Sequence, residues 1–294
     1  MWRFALQESG RLVLGLFGAL LLAAMISALS VAGAAQSLDS YFAALGHRLF
    51  AMVHLDLGPS AMSDNGAAQE LAAHAPITLT LVVFGLAIAL LFGAPLGILL
   101  SSGPMRRAAA PVVQFVSAAP AFCAGLALAF LARNLLGWPD AGAFPSVAQL
   151  LHPDATVLRD VSLPALTVGL AGMAAIQMSL RRAASEMQDS PFRTGLRRLG
   201  LRVAEIDRTY VAPMVFAGLL ADLGEVVLAL FSAAVVSEWV FNCPGAADLF
   251  VKSVALHDWN IAAMILFFFA AIVMTANFTG RMIAEAIAGA GRVT

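Results

Sequence analysis

Residues 186–214 read EMQDSPFRTGLRRLGLRVAEIDRTYVAPM, a long polar stretch set between two apolar ones. It holds Arg193, Arg197, Arg198, Arg202 and Arg208, five of the 17 Lys and Arg residues in the chain. Phe192, Leu196, Leu199 and Val203 recur every three or four positions, the spacing of one helix face, while Arg193, Arg197 and Arg198 can share another. Either Asp189 or Ser190 can cap the start, Pro191 suits the first turn, and Gly200 permits a tight turn before a second piece at 204–210. The stretch reads as a short basic amphipathic helix outside the hydrocarbon. Such a helix either lies on anionic lipid or docks in a partner's groove.

The flanks explain why so polar a stretch stands out. The 294 residues are 61% hydrophobic and 12% charged, with a mean hydropathy of +0.86, which places the chain in a bilayer. Apolar runs fall at 12–35, 77–100, 108–131, 161–180, 212–237 and 259–280, and about 20 such residues cross the hydrocarbon as a helix. The first run exceeds the roughly 7–15 residues of a signal-peptide core, so it is read as a retained span although Ala32-Gly33-Ala34 would pass as a cleavage site. Six crossings put both termini on one side. Arg48, Arg133, Arg159 and Lys252 are the four basic residues on the other side, and the remaining 13 of 17 share the side of the termini and of 186–214. That side is therefore cytoplasmic. The expected architecture is an all-α integral membrane protein of six transmembrane helices. Its first helix and an external segment occupy 1–75, the main transmembrane domain 76–285 and a cytoplasmic tail 286–294, with the polar segment at about 186–212.

Inside the spans, Asp222 and Glu225 are three apart on one face of the fifth run. An acidic residue at the centre of a span costs about 2.5–3.5 kcal/mol on insertion scales, so such groups face a cavity or a partner. Either they line a passage, or they pair with arginines or with a second subunit. Gln177 and Asn277 are expected to hydrogen-bond between helices, with Gln177 a further passage candidate. Glu238, Phe241, Pro244 and Gly245 mark where the fifth span leaves the bilayer, beside an interfacial Trp239.

Several chemistries are excluded by what is missing. The only lysine, Lys252, follows Val251, so no GxxxxGK[ST] loop cradles ATP phosphates. There is no GxSxG, no HExxH and no histidine within a run, which removes the motifs of an intramembrane serine or metalloprotease and any metal site. A self-sufficient secondary transporter predicts a repeat between halves, and none is evident. Cys123 and Cys243 form no disulfide framework. Nothing points to nucleic acid.

Seven fragments in order carry a resemblance: PITLTL at 76–81, GAPLGILLSS at 93–102, PAFCAGLALAF at 120–130, LGWPDAG at 136–142, SLPALTVGL at 162–170, FRTGLRRLGL at 192–201 and SEWVFNCPG at 237–245. Over about residues 57–277 the chain resembles the membrane permease of a bacterial ABC importer of the dipeptide, oligopeptide and nickel type. The resemblance implies a type I importer permease fold in the inner membrane, transporting peptides or a similar small solute, with a nickel complex as another cargo. It implies no catalytic residue and no cofactor on this chain, ATP and Mg being bound by two partner ABC ATPase subunits. The other implied partners are a second related permease, an extracytoplasmic substrate-binding protein and membrane lipids. It makes Arg193, Thr194, Gly195, Leu196, Arg197, Arg198, Leu199 and Gly200 the ATPase-coupling segment, and Glu238, Phe241, Pro244 and Gly245 an outer gate. Aligned without gaps from Arg193, the family's coupling glycine falls on Leu199, one residue before Gly200.

Overall fold

The computed structural model describes residues 2–32, 38–54, 66–101, 121–136, 149, 155–188 and 190–290. Among these, every regular element is helical: α1 (Trp2–Ala32), α2 (Leu38–Val53), α3 (Ala67–Ile88), α4 (Ala94–Ser101), α5 (Ala121–Leu136), α6 (Ala155–Gln188), α7 (Pro191–Arg198), α8 (Val203–Ile206), α9 (Ala212–Ala221), α10 (Leu223–Val240), α11 (Ala246–Ala255) and α12 (Trp259–Ala290). Five described helices are long and apolar enough to cross a membrane, at Trp2–Ala28, Ala67–Gly97, Thr156–Met187, Leu223–Val240 and Trp259–Ala288. The expected third span at 108–131 lies largely outside the described residues, which include only its end in α5.

Two π-helical turns, Ala89–Gly93 and Asp207–Val211, each end two residues before a proline, Pro95 and Pro213. A proline supplies no N–H and crowds the carbonyl four residues back, and a widened turn absorbs both defects without ending the helix. The first turn joins α3 to α4 as one continuous rod. That rod begins at Ala67, so the expected boundary at 75/76 falls inside it, next to Pro76.

The centre is built from α3, α6 and α10, with Leu81, Val168, Ile176, Leu230 and Phe231 buried together and Phe269 of α12 against them. Small residues let backbones approach: a Cβ on Gly85 would strike Val168, and one on Gly172 would strike Leu230 and Ala89. Close packing of small residues is what binds helices when lipid is as apolar as the protein. A second cluster joins Ala23 and Ala24 of α1, Leu71 of α3, Leu249 of α11 and Ile261 and Ile265 of α12, flanked by Leu45 and Leu49 of α2. The helix α2 lies in the stretch expected as a mixed external segment. Its leucines four apart supply the packing face.

The fifth span departs from expectation. The apolar run at 212–237 is not one helix: it breaks at Asp222, which ends α9 and starts α10 with φ −94° and ψ 9°. α12 passes directly over the break, because Gly280 leaves room for the Leu220 carbonyl and Leu223. The piece long enough to cross a membrane then starts at Leu223. Asp222 and Glu225 therefore stand at the start of that helix, at a break in the run rather than inside one continuous helix.

Candidate functional site

α7 starts as the sequence expects. The Arg193 backbone N–H donates to Ser190 Oγ (3.2 Å), and Pro191 fills the first turn; Asp189 lies outside the described residues. After Leu199 the chain turns at Gly200, whose φ of 86° is left-handed and suits glycine. No residue of α7 is buried. Phe192, Leu199 and Val203 are exposed, Leu199 to 79% of its surface. Gly195 has open space where a side chain would be.

The three arginines do not act together. Arg193 turns inward and donates to both carboxylate oxygens of Asp207, with Nη2 at 2.8 and 3.1 Å and Nε at 3.2 Å. Arg197 and Arg198 remain exposed. Phe192 meets Tyr210 edge to face with centroids 6.1 Å apart, a geometry aromatic rings favour. Two side-chain contacts thus brace α7 against the turn leading into α9, leaving its apolar and basic surface open. Asp207 was not singled out in the sequence. Its only signal was an acid among arginines.

At the base of α10, Asp222 accepts from Ser179 Oγ (2.7 Å) and pairs closely with Arg182, whose guanidinium is also 3.7 Å from Glu225. Asp222 is thus paired with an arginine of α6. Glu225 is more open, with 72% of its side chain exposed. Gln177 is buried on α6 facing Gly97 of α4, and Asn277 on α12 packs against Gly224 and accepts from Arg281 Nε at 3.2 Å.

At the opposite end of α10 lies a fully buried carboxylate. Glu238, 0% exposed, accepts from Thr78 Oγ (2.5 Å) of α3 and from the Asp248 backbone N–H (2.8 Å) of α11. Thr78 Oγ in turn accepts from the Ala246 N–H at 2.8 Å. The first N–H groups of α11 have no partners within their own helix, and these two side chains supply them. Three helices are joined at this one point.

The connecting turn is shaped for it. Phe241 is buried, Asn242 adopts a left-handed φ of 52°, and the Cys243 N–H donates to the Glu238 carbonyl at 2.8 Å. Pro244 is exposed. A Cβ on Gly245 would fall inside the Glu238 carboxylate. Glu238 is thus not placed to touch an external partner itself; burial makes it the anchor of the helix that follows. Thr78 was the residue sequence reasoning overlooked, although a hydroxyl inside PITLTL was its signal. Among the described residues, no group of three His, Cys, Asp or Glu side chains could hold a metal ion.

Residues 83–289 match the family described as binding-protein-dependent transport system inner membrane component. The match covers more than half of the chain. The chain belongs to that family. A putative peptide transport system permease protein of Brucella abortus is 24% identical over 242 residues, covering 79% of this chain and 74% of the relative. A nickel import system permease protein of Staphylococcus aureus is 27% identical over 251 residues, covering 81% and 70%. This chain is accordingly a multi-pass inner-membrane permease of an ABC importer, a transport subunit that works with an ATPase and a binding protein. In this permease the exposed α7 and the locked α11 lie near opposite ends of the helical body, since α6 and α10 run between them.

Proposed function

We propose that this permease forms half of the pathway by which peptides, or a small solute of similar kind such as a nickel complex, enter the cell. Energy arrives through residues 192–208. The observation that carries the reading is α7: a capped, basic, amphipathic helix without a buried residue, braced by Arg193 and Asp207 so that it cannot fold back. Its open apolar side fits the cleft of an ATPase subunit, with Leu199 and Gly200 at the protruding corner. Closure of two ATPases would draw two such helices together and tilt α6 and α9, which flank the segment in sequence. That is a rigid-body switch between inward and outward openings. We take the whole permease to have six crossings, both termini cytoplasmic, and a related but different chain as its partner.

At the far end, α11 is the outer gate. The Glu238–Thr78 anchor ties its N-terminus to α3 and α10, so the turn with Phe241, Pro244 and Gly245 moves with those helices. Of the three passage candidates, Glu225 is the one whose side chain is open, beside Arg182; Asp222 holds Arg182 and Gln177 packs between helices.

The test is reconstitution with the ATPases, partner permease and binding protein in proteoliposomes. ATP-dependent uptake of labelled peptide or nickel is expected, and Leu199→Asp should abolish uptake while ATPase subunits fail to co-purify. Uptake that needs no ATP and follows an ion gradient would overturn the reading.

A further inference from the structure

At the end of the molecule that carries α7, α1 and α12 part to leave a cavity of about 370 Å³. Directly above it they close again, where a Cβ on Gly15 would touch Met274 Sδ at 3.1 Å. Its polar wall is Glu8, Arg11, Asn277 and Arg281, and Leu12, Met274 and Phe278 complete the lining. Glu8 is nearly inaccessible, with 5% of its side chain exposed, and its Oε1 pairs closely with Arg11 and lies 3.7 Å from Arg281 Nη1. One carboxylate thus faces two guanidiniums. The excess positive charge is offered outward, since Arg11 is 65% and Arg281 40% exposed.

We propose that this cavity binds the headgroup of an anionic phospholipid of the cytoplasmic leaflet. A guanidinium matches a phosphate oxygen pair with two parallel N–H donors. Glu8 and Asn277 hold the two arginines in place, so the fork is ordered before the ligand arrives. Basic pockets between membrane helices on the cytoplasmic side are where such headgroups lodge. Farther along α1, Leu14 lies three residues beyond Arg11 on the adjoining face and is exposed and apolar, a surface for an acyl chain. The inference takes from the proposed function only the cytoplasmic placement of both termini.

The experiment titrates the full-length chain in neutral detergent with fluorescent cardiolipin and, in parallel, with fluorescent phosphatidylcholine. Cardiolipin is expected to bind more tightly. The double variant Arg11→Gln with Arg281→Gln should weaken cardiolipin binding by on the order of tenfold, the loss expected for a charge-assisted hydrogen bond. Glu8→Gln keeps a side-chain oxygen that accepts from the arginines, so the fork stays ordered, but removes the competing negative charge and should strengthen binding. This second variant keeps both arginines, so it decides the matter even where the double variant fails to insert. Equal affinity for the two lipids, or Glu8→Gln leaving affinity unchanged or lower, overturns the proposal. Displacement of cardiolipin by inorganic phosphate, at an ionic strength matched with chloride, would assign the cavity to a soluble anion and overturn it as well. Uptake activity enters none of these readouts, so the result stands apart from the transport reading.

Discussion

Gly245 has no side chain because the Glu238 carboxylate occupies the place where one would go. Gly245→Ala should therefore push the carboxylate off the start of α11, at a cost of about 1–3 kcal/mol typical of overpacking, read as a lower melting temperature of the solubilised permease. Thr78→Val keeps the shape and removes both hydrogen-bonding roles, leaving a buried carboxylate and a buried N–H each short of a partner. A loss of about 1–3 kcal/mol is expected, and Thr78→Ser should restore most of it. The neighbouring Cys243 is buried, and burial pushes its thiol well above the usual range. A maleimide should therefore leave it unmodified in the folded protein. Raising the pH through the ordinary thiol pKa of about 8.5 should not speed labelling, because the folded thiol stays protonated there. Labelling should appear on denaturation, and mass spectrometry distinguishes the two states.

The brace between α7 and the turn after α8 belongs to the elements. Arg193 and Asp207 are only partly buried, so their pair contributes less than about 1 kcal/mol to stability. What it contributes is direction, because two donor–acceptor lines, Nε to Oδ1 and Nη2 to Oδ2, fix the angle of α7. Arg193→Gln should leave the melting temperature almost unchanged while uptake falls several-fold and ATP hydrolysis loses its stimulation by the binding protein. Exchanging the pair, Arg193→Asp with Asp207→Arg, should recover part of the uptake. The helical start of this segment was legible in the sequence, since Ser190, Pro191 and the apolar spacing are local signals. The brace was not, because it joins residues 14 apart across the turn at Gly200, and their spacing fixes no orientation. The break at Asp222 was equally hidden. Hydropathy reads 212–237 as one run, while the break depends on Ser179 and Arg182 of α6 and on the passage of Gly280 beside Leu220.

For the molecule as a whole, the decisive quantity is which ends face which compartment. Leu199→Cys and Leu256→Cys place labels at two exposed positions, one in the α7 corner and one in the turn between α11 and α12. In sealed right-side-out vesicles an impermeant maleimide should reach the second and not the first; the pattern should invert in inside-out vesicles. The opposite result would place α7 outside and overturn its proposed coupling to an ATPase.

Membrane residence, the all-helical class, the orientation expected from 13 basic residues against four, and the position of the basic amphipathic helix α7 all follow from composition and local pattern. These are properties of single segments meeting a solvent, water or lipid, and each segment carries its own hydropathy and charge. The anchor at Glu238 and Thr78, the inward turn of Arg193, the pairing of Asp222 and the two-arginine cavity around Glu8 could only come from packing. Each brings together polar groups from different helices, and in a hydrocarbon surround such groups find their partners through the way the helices assemble rather than through their order along the chain.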